Sequence, residues 1–287
     1  MRYVCYRENG KFVPAILSPD GKKAISFEKA GVPFSSLLDM ITAGYTPKTP
    51  DFTYATEVKA LDMCAPIPRP SQDIICLGIN YTEHAQESAK YKKEAFERER
   101  DYPVYFAKRA TAVKGSGEKI SLHKNVTQCV DYEAELAFVL SKTAQNVKEE
   151  EAYDYVFGYT VLNDISARDL QTRHKQWYFG KSLDGFTAMG PCIVSKDELK
   201  DPENLKICSY VNGELRQNSN TSLMIFKIPR VIAELSSAMT LEAGTIITMG
   251  TPAGVGMGFV PPRFLNDNDE VVCEIEGIGK LKNNFYA

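Results

Sequence analysis

The sequence predicts a mainly β protein with some α: a β-rich roll preceded by a small N-terminal α+β domain. Three observations carry that expectation. Short apolar or alternating runs bounded by Gly, Pro and Asn outnumber stretches with helical spacing. Strands and helices do not alternate regularly, which argues against a doubly wound parallel sheet. Finally, Ala65-Pro66-Ile67-Pro68-Arg69-Pro70 can continue neither a helix nor a central strand, so it separates residues 1–69 from residues 70–287.

In the N-terminal part, residues 2–26 alternate polar and apolar around the turn signals Glu8-Asn9-Gly10 and Pro19-Asp20-Gly21, as short antiparallel strands do. A helical pattern follows near residues 36–41. The larger part opens with an apolar strand over 74–79 and a polar helix over 81–100. Further strands are expected over 129–140, 156–163, 207–211, 245–249 and 271–276, with Asn212-Gly213 as a hairpin turn. Helices are expected over 166–175 and over 229–239, where Pro229 suits a first turn.

With 287 residues and 44% hydrophobic content the chain can bury a large core. A formal charge of -3 leaves no basic field for a nucleic-acid backbone, so nucleic acid is excluded as a partner. The start MRYVCYRENGK lacks the apolar run of a secretory signal, and no segment is long and apolar enough to cross a bilayer. A cytoplasmic protein without a membrane partner is the expectation. The 7 cysteines are scattered without a C-x-x-C pair, which points to reduced core residues rather than a zinc or redox motif.

Strand alternation in Asp131-Tyr132-Glu133-Ala134-Glu135 puts Asp131, Glu133 and Glu135 on one side. Carboxylates crowded at the mouth of a core strand need protons or a cation. Asp164, which closes the next apolar strand, supplies a third oxygen ligand, and three oxygens on neighbouring strands suit Mg2+ or Mn2+. The alternative is a solvated acidic edge strand. In Gly78-Ile79-Asn80-Tyr81-Thr82-Glu83-His84-Ala85-Gln86-Glu87 a strand breaks into a helix, and His84 and Glu87 share a face. They read either as a general-base pair or as an incidental histidine at an exposed helix start. Lys181, set among aromatics and glycines in Trp177-Tyr178-Phe179-Gly180-Lys181, reads as a carboxylate holder or as an ordinary loop lysine. The glycine-rich run 249–258 offers backbone amides and the Thr251 hydroxyl. Pro261-Pro262 follows it instead of a helix, so it is not a dinucleotide fingerprint, and residues 114–119 likewise fail as a phosphate loop.

Taken together and in this order, GINYTEHAQE, PVYFAK, VDYEAELAFVL, VFGYTVLNDISARDLQ, WYFGKSLDGF, MGP and MGTPAGVG resemble the fumarylacetoacetate hydrolase superfamily over about residues 70–287. The resemblance implies a mixed β-sandwich roll of the fumarylacetoacetate hydrolase C-terminal domain type, a homodimer, and Mg2+ or Mn2+ held by Glu133, Glu135 and Asp164. It also implies that His84 and Glu87 lie on a mobile lid helix and activate a water, and that Lys181 acts on the substrate. Tyr81, Gln171 and Thr251 fall at the substrate, with Gln171 near the metal. Two departures stand out: Phe106-Ala107-Lys108-Arg109 replaces the Phe-x-Lys-Pro of many relatives, so Arg109 is expected to reshape the pocket, and Leu122-His123 stands where a proline often follows the leucine; residues 88–101 also enlarge the lid.

The activity this implies is metal-dependent hydrolysis of a carbon-carbon bond in an acylpyruvate-like β-diketone acid through a metal-stabilised enolate. Oxaloacetate decarboxylation, and isomerisation or tautomerisation of hydroxymuconate-type dioates, are the alternatives on the same small 2-oxo acid chemistry. Sugar-acid dehydration is a further enzymatic one, and a small-molecule-binding protein without chemistry is the non-enzymatic one.

Overall fold

The centre of the molecule is the apolar strand Ala134–Leu140, every residue of which is buried. The computed structural model, which describes residues 1–93 and 101–287, shows why this run has no exposed face. Leu136 and Phe138 point into one apolar cluster with Val161, Ile207, Cys273 and Phe285. Ala137 and Val139, of opposite parity, point into a second with Leu162, Ile193 and the N-terminal helix residues Met40 and Ile41. A strand covered on both sides reads as a continuous apolar run, as this one does.

Ala134–Leu140 lies between Val156–Asp164 and Ile246–Thr248 in an 11-stranded sheet. On one side the sheet passes through Thr187–Ser195 to the N-terminal strand Arg2–Glu8, with Tyr3 opposite Ile193. On the other it ends in Ile74–Gly78 and Val104–Lys108. A second, 5-stranded sheet (Lys119–Ser121, Lys206–Val211, Glu214–Asn220, Glu270–Ile275 and Gly279–Tyr286) packs over the first. The mixed β-sandwich with few helices is therefore the architecture the sequence predicts.

Local chemistry places the turns. Asn9 and Gly10 have φ of 50° and 75°, and Asn212 and Gly213 have 52° and 81°, the left-handed pair a two-residue hairpin requires. Ser36 caps helix Leu37–Thr42 through the Asp39 amide, and Pro229 sits in the first turn of helix Ile228–Ser236.

Three expectations change. The strand over 129–140 is interrupted: Val130–Asp131 pairs with Ser166–Ala167, and Ala134–Leu140 resumes after Tyr132 and Glu133. The helix expected from 166 begins at Arg168 because Ser166–Ala167 is committed to that pairing. The polar helix runs Thr82–Lys92 and ends on Lys93 at φ 57°; the rest of the expected helix and lid, residues 94–100, lies outside the described residues. Gly279–Tyr286 was not anticipated, because Lys280 and Lys282 face solvent between buried Leu281, Asn283 and Phe285 and give a polar-looking strand. All 7 cysteines are free thiols, and 6 of them are buried. No helix among the described residues is long and apolar enough to cross a membrane.

Phe138 is fully buried in the core between the sheets. Phe138→Ala is expected to cost about 3–5 kcal/mol, seen as a lower urea midpoint at unchanged m-value.

Candidate active site

The interruption at Tyr132 and Glu133 builds the site. At the break the Asn163 side-chain oxygen accepts the Glu133 amide at 3.0 Å, and the Asp164 amide donates to the Glu133 carbonyl at 2.9 Å. The two strand ends are thereby locked together. One carboxylate oxygen each from Glu133, Glu135 and Asp164 lies within 4.8 Å of the others, and all three side chains are buried. The three expected ligands are thus brought together; Asp131, on the same side by simple alternation, is not among them.

Three buried cations surround the cluster. Lys181 Nζ donates to Glu133 Oε2 at 2.6 Å and to Asp164 Oδ2 at 2.7 Å. Lys108 Nζ lies 2.5 Å from Asp164 Oδ1 and also donates to the Ile165 and Lys181 carbonyls. Arg168 Nη2 lies 2.6 Å from Glu133 Oε1. Glu135, by contrast, receives among the described residues the Thr248 hydroxyl at 2.5 Å and the Gly250 amide at 3.2 Å, neither of them charged.

The titration behaviour follows. Burial pushes the Glu133 carboxyl up, but Arg168 and Lys181 outweigh it and hold the group well below the usual carboxylate range. Burial, then the charges of Asp164 and Glu133, push Glu135 well above that range. Burial lowers Lys108, whereas at Lys181 it is outweighed by Asp164 and Glu133, so that ammonium is held more firmly. An all-oxygen set of three converging carboxylates, one lacking a charged partner, is the donor chemistry that Mg2+ and Mn2+ take. The residues fit such an ion.

A small cavity opens onto Glu133 and Glu135 of this cluster, lined also by His84, Gln171, Trp177 and Thr251. His84 is only 5% exposed, and its Nδ1 is buried without a hydrogen-bond partner among the described residues. The Glu87 carboxylate is 3.6 Å from that nitrogen, too long for a hydrogen bond. Instead both Glu87 oxygens accept the Gly254 amide, at 3.0 and 3.1 Å, which fastens helix Thr82–Lys92 to the 250–258 loop. Gly254, at φ +102°, has the Arg216 carbonyl where a Cβ would stand, so this docking point requires glycine.

Where the strand turns into that helix, Ile79 adopts φ 58°, a strained conformation for a β-branched residue. Beside it Trp177 packs on Gly78 where a Cβ would be, and Phe106 meets Trp177 edge-on at 5.2 Å.

The remaining expected residues divide. Gln171 lines the cavity and accepts Arg168 Nη1 at 3.1 Å. The Thr251 hydroxyl donates to the Ala134 carbonyl at 2.8 Å and accepts Gln217 Nε2 at 2.7 Å, so it secures the loop beside the cavity. Tyr81 lies in the core cluster, its hydroxyl buried without a partner among the described residues and its ionisation pushed up by burial. Arg109 does not reshape this cavity: strand alternation turns Lys108 inward and Arg109 outward, 3.8 Å from Asp73 on a separate groove. Sequence reasoning missed Lys108 and Arg168 as site residues. Both lie inside segments that carry the family resemblance, Lys108 in PVYFAK and Arg168 in VFGYTVLNDISARDLQ, which was a usable signal, but a buried cation leaves no mark in strand or helix spacing.

This fold and site define a member of a known enzyme family. Residues 73–286 match the family described as fumarylacetoacetate (FAA) hydrolase C-terminal, and the chain belongs to it. It is 50% identical over 235 residues, 82% of this chain and 75% of the relative, to oxaloacetate tautomerase YisK of Bacillus subtilis (strain 168). Among solved structures it is similar to fumarylacetoacetate hydrolase (EaFAH) from psychrophilic Exiguobacterium antarcticum, with TM-score 0.87, 36% identity and coverage of 100% of this chain and 99% of that one. It is also similar to 2-hydroxyhepta-2,4-diene-1,7-dioate isomerase from Mycobacterium marinum, with TM-score 0.74, 30% identity and coverage of 100% and 98%.

Because the folded state raises Glu135, its stabilising contribution is complete below the ordinary value of 4.5 and is lost as pH rises through the folded value. In EDTA, the thermal midpoint is therefore expected to fall as pH is raised above 4.5. Glu135→Gln should flatten that slope, and excess Mg2+ should restore stability to the wild type but not to the variant.

Proposed function

We propose that the protein is a divalent-cation-dependent tautomerase or isomerase that interconverts the enol and keto forms of a small 2-oxo dicarboxylic acid of the oxaloacetate type. The observation that carries this reading is the enclosure of one imidazole among the described residues, His84, in the same cavity as Glu133 and Glu135 of the three-carboxylate cluster. The names of the relatives, oxaloacetate tautomerase and a dioate isomerase, support it.

A cation held by Glu133, Glu135 and Asp164 would supply Lewis-acid polarisation of the oxygens of a 2-oxo acid. The reaction then needs one proton moved between the carbon next to the oxo group and the oxo oxygen. His84 carries that proton, and Glu87 positions it by fastening its helix to the Gly254 amide. Lys181 and Arg168 offer charged N–H donors to the substrate carboxylates, and Gln171 stands beside Arg168. Trp177 and Phe106 wall the cavity with apolar surface, which strengthens each of these contacts by excluding water.

Hydrolysis of a carbon-carbon bond would ask His84 and Glu87 to work as a hydrogen-bonded pair on an attacking water, and their 3.6 Å separation gives that less support. Proton transfer needs no such pair.

The test follows the ultraviolet absorbance of enol-oxaloacetate with Mg2+ or Mn2+ present. Wild-type protein is expected to accelerate its decay and to lose that ability in EDTA, and His84→Ala to lower the rate by about 10²–10⁴-fold. Cleavage of an acylpyruvate without any effect on enol decay would replace this reading with the hydrolase one.

A further inference from the structure

Asp131 lies on the acidic side of its strand, is completely buried, and still stands outside the three-carboxylate cluster. Each of its oxygens is fully used. Oδ1 accepts the amides of Tyr132 at 2.9 Å and Gly256 at 2.6 Å, and Oδ2 accepts the Met257 amide at 3.0 Å and Arg168 Nε at 2.8 Å. The seat is built for it. A Cβ on Gly256 would stand against Asp131 Oδ1 and the Arg263 carbonyl, so a side chain there would push the loop off the carboxylate.

Arg168 is divided three ways: Nε to Asp131, Nη2 to Glu133 Oε1 and Nη1 to Gln171 Oε1. A guanidinium is a rigid plane, so fixing Nε fixes where Nη2 meets Glu133. It also divides its charge between two carboxylates. Lys181 already occupies the other Glu133 oxygen, so the hold of Arg168 on Oε1 governs how readily Glu133 turns to a divalent cation.

We propose that Asp131 is a positioning residue that draws Arg168 partly away from Glu133 and so sets the affinity of the three-carboxylate site for its cation. The proposal rests on the metal-site reading above and adds a residue and a direction to it. With Asp131 neutralised, Glu133 is the one carboxylate left to Arg168, and a cation must compete with a guanidinium whose charge is no longer shared between two carboxylates. With Arg168 removed, Glu133 Oε1 is released, and Asp131 has nothing left to act through.

The experiment is a Mn2+ titration of metal-stripped protein, read by the electron paramagnetic resonance of free Mn2+, so no turnover is needed. Asp131→Asn is expected to weaken Mn2+ binding about tenfold and Arg168→Gln to strengthen it about tenfold, the scale of coupling between contacting charged groups. In the Arg168→Gln background, adding Asp131→Asn should change the affinity by less than about threefold. Weakening by Asp131→Asn that is as large without Arg168 as with it would overturn the proposal, since Asp131 would then act as bulk charge or as a loop support. If Asp131→Asn does not accumulate as folded protein, Arg168→Gln alone decides: unchanged or weaker Mn2+ binding overturns the proposal. Wild-type protein that binds no Mn2+ would instead remove the metal-site reading beneath it.

Discussion

Four carboxylates (Asp131, Glu133, Glu135 and Asp164) and three cations (Lys108, Arg168 and Lys181) are buried in one patch where the strands of the large sheet end. Taking such charges out of water costs several kcal/mol each unless every one is met by a partner or hydrogen bonds. Much of the local architecture meets that demand. The break in the central strand turns Asn163 inward to satisfy Glu133, and the last amide of the neighbouring strand returns to the Glu133 carbonyl. Lys108 reaches from the edge strand to close Asp164 and two carbonyls at once. The glycine-rich loop contributes amides where side chains would not fit. Counting formal charges, four negative against three positive leaves one negative charge, and Glu135 is the carboxylate whose hydrogen bonds come from neutral groups. That surplus falls on Glu135, whose upward shift follows from its burial and then from the charges of Asp164 and Glu133.

The same packing explains what could be seen in advance. Glu133, Glu135 and Asp164 were legible because a strand has a period of two and neighbouring strands bring their ends together. Their neighbours were not. Asp131 carries the same parity as Glu133 and Glu135, yet the strand breaks between them and sends it to Arg168 and the loop amides, and nothing in the alternation announces a break. The hairpins at Asn9-Gly10 and Asn212-Gly213 were legible for a local reason, since the left-handed turn is written in two residues. Strand Gly279–Tyr286 was hidden because its outward face is lysine and its inward face includes a buried asparagine. Tyr81 and Thr251 show what sequence alone does not convey: Tyr81 lies in the core cluster, and Thr251 lines the cavity while its hydroxyl is engaged by Ala134 and Gln217.

The helix Thr82–Lys92 illustrates how a catalytic group is placed without being gripped directly. Among the described residues His84 has no hydrogen-bond partner at Nδ1, and its position comes from the docking of Glu87, one turn further along, on a single loop amide. That loop is itself held by Asp131, so imidazole and guanidinium are located from one common anchor. Such an arrangement fixes the backbone that carries the imidazole while the ring itself lines the cavity.

The first strand of the chain has a consequence for any attempt to shorten the protein. Arg2–Glu8 continues the hydrogen-bond ladder beyond Thr187–Ser195. A version trimmed to the family-matching portion would therefore expose a row of unsatisfied amides and carbonyls beside apolar Ile193 and Val194. A bare rim of that kind recruits other polypeptides edge to edge, so the leading residues act as a built-in guard against self-association as well as a lining for the underside of the sheet.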